Sequence, residues 1–148
     1  MKNDIKRKPI KIPFPNIILL ISLSFINVGC GHHPAKYDVD LRNTSENFAN
    51  KISQIYLENS NLRSKAILLE ALDDNAHSSD SQLAMNSKGQ EAIFLSAFVR
   101  ESELIKQGYS SSDSQKIVGQ EISSRELPTA DSNEKASVKK MLLGTLRP

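Results

Sequence analysis

The residues able to do chemistry are few. The densest polar cluster is Asp73-Asp74-Asn75-Ala76-His77-Ser78-Ser79-Asp80. Asp, His and Ser are the types from which a nucleophile, its base and an orienting acid are assembled, and also ligands for a metal. Such work needs a base held in fixed geometry by packing. These residues fall together where loop composition predicts an interhelical connection, so they read as a solvated loop. His32 and His33 offer adjacent imidazoles, yet neighbours on a polar, aperiodic stretch converge poorly on one ion. Cys30 is the single cysteine, which excludes an intrachain disulfide. No P-loop, G-x-G-x-x-G, H-E-x-x-H or C-x-x-C occurs. No catalytic residue, metal ligand or cofactor is therefore expected, and the chain reads as a protein that binds.

The elements that must carry these residues begin with an unusual N-terminus. Lys2, Lys6, Arg7, Lys8 and Lys11 stand against Asp4 alone, and Pro13 and Pro15 break any continuous helix. From Ile17 to Val28 the chain is apolar, softened by Ser22, Ser24 and Asn27. That run is about a dozen residues, short of the roughly 20 a membrane-spanning helix needs. A basic head, a short apolar segment and small residues at its end form the layout of a secretory signal. A buried core helix or a membrane anchor that stays attached is the competing reading, but neither a cap nor a second apolar face supports a core helix.

The apolar segment stops at Ile26-Asn27-Val28-Gly29-Cys30-Gly31. This resembles the lipobox of bacterial lipoproteins, with Val28 and Gly29 matching the branched and small residues that precede the cysteine. Asn27 departs from the pattern, since Leu is usual there, and Ile26 lies one place off. The resemblance covers residues 1–30 only. It implies cleavage before Cys30, acylation of its thiol and a protein held to a membrane by lipid. An ordinary signal followed by a free thiol is the alternative. In Gram-negative lipoproteins an Asp directly after the cysteine retains the protein at the inner membrane; Gly31 stands there, so the resemblance implies the periplasmic face of the outer membrane. Two or three acyl chains hold stably where one holds weakly.

Beyond Cys30, the stretch through Asn43 reads as a flexible tether, with Gly31 and Pro34 opposing helix. The rest predicts an all-α bundle of about four to five helices over residues 44–148, giving a division into signal (1–29), acylated tether (30–43) and helical domain. Thr44 or Ser45 can cap a first helix presenting Phe48, Ile52 and Ile55 on one face. Asn59-Ser60-Asn61 ends it, although without Pro or Gly the two helices could also be continuous. Leu62, Ala66 and Leu69 form the next stripe, widened by Ile67, Leu68 and Leu72, so this helix is expected to be central. Asp73 to Gln82 is expected as loop. Ser87 and Gln90 then suggest a capping pattern opening a helix with Ile93, Phe94, Ala97, Phe98, Leu104 and Ile105, closed by Gly108 in a left-handed conformation. Ser112 and Gln115 repeat the pattern before Ile117, Val118 and Ile122, with Glu121 able to pair with Arg125 and Pro128 terminating the element. Asp131 and Glu134 open a last helix carrying Val138, Met141 and Leu142, closed by Gly144.

The 148 residues carry a net charge of +2, which averages two different pieces. The first 29 residues hold +4; the remainder, with 14 Lys/Arg and 16 Asp/Glu, holds −2. The helical part thus lacks the electrostatic footprint of a nucleic-acid binder. Aromatics are 5% of the chain, with no Trp, so the core is expected to be thin. The stripe of Ile93, Phe94, Phe98 and Ile105 serves either as core or as a ridge for a partner helix. The sequence reading is a lipid-anchored, non-catalytic accessory of an envelope secretion or conjugation machine, such as a pilot or assembly factor, with an envelope protein as partner. Rival readings are a surface or entry-exclusion lipoprotein, a periplasmic stress chaperone and, third, a cell-wall enzyme.

Overall fold

A computed structural model describes residues 40–147, so the segment expected to be an export signal, Cys30, His32 and His33 lie outside the described residues. After a 3-10 turn at Leu41–Asn43 come five α-helices: α1 (Glu46–Glu58), α2 (Leu62–Ala76), α3 (Ser81–Lys106), α4 (Ser111–Ser123) and α5 (Ser132–Gly144). No strand occurs among the described residues. The fold is an all-helical bundle, as the periodicity predicts.

Helix starts follow side chains that accept from free N–H groups. The Ser45 hydroxyl accepts from the Phe48 amide and begins α1, while Asn61 accepts from the Ser64 amide and begins α2. Asn59 Nδ2 donates back to the Ile55 carbonyl at 2.7 Å, so the two helices are separate. Asp131 and Glu134 form a complete capping box at α5. Gly108, at φ +101°, ends α3 with Tyr109 N–H on the Leu104 carbonyl and its own N–H on that of Ile105.

Several boundaries differ from the sequence expectation, for local reasons. Leu41 is buried in the core from a 3-10 turn at Leu41–Asn43, so these residues pack with the helical domain that the sequence places from residue 44 on. The expected 73–82 loop shrinks to residues 77–80, because α2 runs to Ala76 and the Asp80 carboxylate caps α3 through Gln82 and Leu83 N–H. Ser87 and Gln90 are consequently interior to α3 and buried, not its opening. Ser110, two residues ahead of Ser112, caps α4. That helix ends at Ser123, well before Pro128, in a left-handed turn at Arg125 (φ 64°). Arg125 does not pair with Glu121; its Nη1 donates to the Thr44 carbonyl at 3.0 Å, which ties the non-glycine turn to the start of α1. Glu121 instead receives the Arg100 guanidinium. Gly144 stays within α5 and does not close it.

The spine is α3 rather than α2. Its 26 residues span about 39 Å at ~1.5 Å per residue, and α2, α4 and α5 all pack on it. Ile93 to Val99 are buried without interruption, the sign of a helix enclosed on all sides. Ile93, Phe94 and Phe98 are therefore core, with the Phe94 and Phe98 ring centroids 6.3 Å apart, and not an exposed ridge. Of the proposed partner stripe only Ile105 reaches the surface. On the other side α1 and α4 approach closely at Gly119, whose carbonyl accepts from Ser53 Oγ at 2.7 Å. A Cβ added there would stand 2.9 Å from Leu57 Cδ2.

Candidate functional site

Three helices converge their side chains on one buried point. Tyr56 comes from the last turns of α1, Lys65 from the first turn of α2 and Glu101 from the second half of α3. Lys65 Nζ donates to both Glu101 oxygens, at 2.8 and 2.6 Å, with only 7% of either side chain exposed. The Tyr56 hydroxyl donates to Glu101 Oε2. Burial, and then the hydrogen bond to Glu101, push the Tyr56 hydroxyl far above its ordinary titration range, so it stays a donor. The Lys65 ammonium also lies 5.5 Å from the Phe98 ring centroid and 5.9 Å from that of Tyr56, within cation–π range.

This charge pair lines a cleft of about 360 Å³ between α2, α3 and α5. Leu62 (59% exposed), Ile105 (45%) and Met141 (52%) form its apolar rim, each on a different helix. Three of the six large exposed hydrophobics among the described residues thus surround one opening. Large apolar groups are ordinarily exposed singly, and a cleft with an apolar rim and a few convergent polar groups is where ligands bind. The cluster's own chemistry is closed. Glu101 spends its charge on Lys65, and Tyr56 is held protonated, which leaves neither a free base nor an activated nucleophile.

The sequence-predicted cluster at 73–80 is dispersed by the fold. Asp73 faces Lys139 of α5 at 2.6 Å, Asp80 caps α3, and Asp74 is exposed. His77 Nδ1 lies 2.7 Å from the Asp73 carbonyl oxygen, with most of the ring in solvent. Among the described residues no group of three or more His, Cys, Asp and Glu could hold a metal ion, and no helix is long and apolar enough to cross a membrane. Sequence reasoning missed Lys65 and Glu101, although a signal existed. Lys65 lies at offset 3 inside the Leu62–Leu69 stripe, and Glu101 falls between Phe98 and Leu104 at helical spacing. Charges inside two apolar stripes, opposite in sign, are the mark of a buried pair.

Compared with known proteins, the chain matches no family model, and neither a curated protein nor a solved structure is significantly similar to it.

Proposed function

We propose that this chain is a lipid-anchored accessory protein of the bacterial envelope, a pilot or assembly factor that acts by binding a component of a secretion or conjugation machine. The observation that carries the reading is the Lys65–Glu101–Tyr56 cluster beneath an apolar rim: its polar groups satisfy one another and so shape a binding cleft instead of performing a reaction. The lipobox resemblance at Cys30 supplies the anchor, with Gly31 directing the protein to the periplasmic face of the outer membrane. The rim residue Ile105 retains the role of partner contact, while Ile93, Phe94 and Phe98 build the helix that presents it.

The test compares wild type with Cys30→Ser in cells fed a clickable fatty acid. Wild type takes the label and copurifies from detergent extracts with a pore-forming envelope subunit; the variant loses the label and leaves that subunit unassembled. Equal labelling of both proteins, or normal assembly of the pore in cells lacking this chain, overturns the proposal.

A further inference from the structure

We propose that α5 is a lid hinged at Ala130–Asp131, and that the face of α2 and α3 beneath it takes an amphipathic helix of the partner, one with an aliphatic stripe and a lysine or arginine beside it. This rests on the reading of the protein as a binding accessory and adds where the partner enters and what it presents. α5 is thinly held. It has the same 13 residues as α1, yet α1 buries Phe48, Ala49, Ile52, Ser53 and Tyr56, and α5 buries Leu142 alone. Val138, Leu143 and Leu146 are only partly covered, and Met141 is exposed. Few buried apolar contacts place an element at the low-stability end of a fold, from which moving parts are drawn.

The connection before α5 fixes where the chain can swing. Arg125 Nη1 donates to the Thr44 carbonyl, Leu127 packs on the core, and the Ala130 amide donates to Ser96 Oγ at 3.2 Å. From Asp131 on the helix is capped by its own residues, Asp131 and Glu134, both exposed. Opening at Ala130–Asp131 therefore breaks no cap and leaves the connection fastened.

Charge and shape name the occupant. Asp73 of α2 and Glu91 of α3 each stand 2.6 Å from Lys139 Nζ, so the face under α5 carries two adjacent carboxylates that a single cation joins. Val138 and Met141 wall the cleft opposite Leu62, Phe98 and Ile105, and Leu142 enters the core one residue further on. α5 thus shows in its own contacts what satisfies this face. A partner helix with aliphatic residues at the spacing of 138, 141 and 142 and a cation at the place of 139 meets the same groups. When α5 leaves, the cleft opens into that face.

The probe is a fluorescent peptide of residues 131–147, added to the full chain purified in phosphatidylcholine nanodiscs and labelled with methyl-¹³C methionine. Binding is expected to saturate, with the Met141 methyl leaving its cleft position for the shift of a solvated methionine. Leu142→Ala, whose own lid competes less, is expected to bind the peptide at least ~tenfold more tightly than wild type. Lys139→Met, which keeps Leu142 and weakens only the latch, is expected to gain about threefold. The peptide carrying Lys139→Glu is expected to bind wild type about tenfold more weakly, since it sets a third carboxylate beside two. Binding that leaves Met141 in place, or equal affinity for all three proteins, overturns the lid. Equal binding of the Lys139→Glu peptide overturns the cationic helix. Paired chains in light scattering that separate as the peptide binds make a second copy's α5 the occupant, which also overturns the proposal. A chain that binds no peptide yet copurifies with its pore subunit loses the lid and keeps the accessory role; a chain that binds the peptide and has no such partner does the reverse.

Discussion

Lys65 and Lys139 both sit on helices that pack against α3, and both reach a carboxylate there, Glu101 and Glu91 respectively. Each draws in a third helix as well: Tyr56 of α1 hydrogen-bonds Glu101, and Asp73 of α2 lies 2.6 Å from Lys139 Nζ. The difference is water. Lys65 and Glu101 are almost wholly enclosed, whereas 29% of the Lys139 side chain and 32% of Asp73 remain exposed. In the first place a missing partner leaves an uncompensated charge in a low dielectric; in the second, solvent fills the vacancy. The same arrangement is thus a constraint on the core at one end and an adjustable latch for α5 at the other.

The sharpest way to break this comparison is at the buried pair. Glu101→Leu leaves Lys65 charged and enclosed, and is expected to destabilise the fold by about 3–5 kcal/mol in chemical denaturation. Lys65→Met/Glu101→Leu removes both charges, and its stability is expected to lie within about 1 kcal/mol of wild type, because well-packed apolar residues replace a buried pair with little loss. If the double variant is as unstable as the single, the pair is not the origin of the loss and the contrast with Lys139 fails.

These two regions were unequally readable from the sequence. Helical class followed from stripes such as Phe48–Ile52–Ile55 and from caps such as Asp131 with Glu134, which are local and survive packing. Boundaries failed where two local signals competed. Ser87 and Gln90 fit a capping box, yet Asp80, seven residues before Ser87, offers its carboxylate to two amides, and the helix it starts runs straight through them. The pairing of Glu121 was misassigned because the i, i+4 neighbour Arg125 leaves the helix in a left-handed turn, freeing Glu121 for Arg100. The candidate cleft was illegible for a different reason. Residues 56, 65 and 101 meet only through tertiary contacts, and nothing in a single sequence states which charged residue on one stripe faces which on another. The exposure of Ile105 against the burial of Phe98, seven residues apart on one helix, likewise depends on where α2 and α5 stop covering α3.

A second comparison tests how α5 is held. Leu142 is its only fully buried side chain, with Val138, Leu143 and Leu146 partly covered. Leu142→Ala is expected to destabilise the protein by about 2–3 kcal/mol, the lower part of the range for core leucines, since the site borders solvent and can close by relaxation. Amide hydrogen exchange is expected to rise across residues 132–144 before it rises in α3, because α5 then opens as a separate unit. Uniform acceleration across α3 and α5 would show that α5 is as integral to the core as the Tyr56–Lys65–Glu101 junction.

The smallest effect belongs to Lys139→Met, and it carries a signature in pH and salt. Burial alone would lower the Lys139 ammonium, but the hydrogen bonds to Asp73 and Glu91, with their charges, outweigh it and raise it above the ordinary value of 10.5. A folded-state value above the unfolded one means that protonation favours the folded form. The stabilisation is therefore fully present below about 10.5 and is lost as pH climbs through the raised folded value. Because the group is partly solvated, its removal is expected to cost no more than about 1 kcal/mol at neutral pH, and less as salt screens it. Wild type and Lys139→Met should then converge in stability once the pH exceeds the raised folded value, while the gap to Glu101→Leu persists in high salt, where an enclosed pair is shielded from ions. Hydrogen exchange of α5 measured at low and high salt decides the matter: a Lys139→Met effect insensitive to salt would place this latch in the same class as the buried pair.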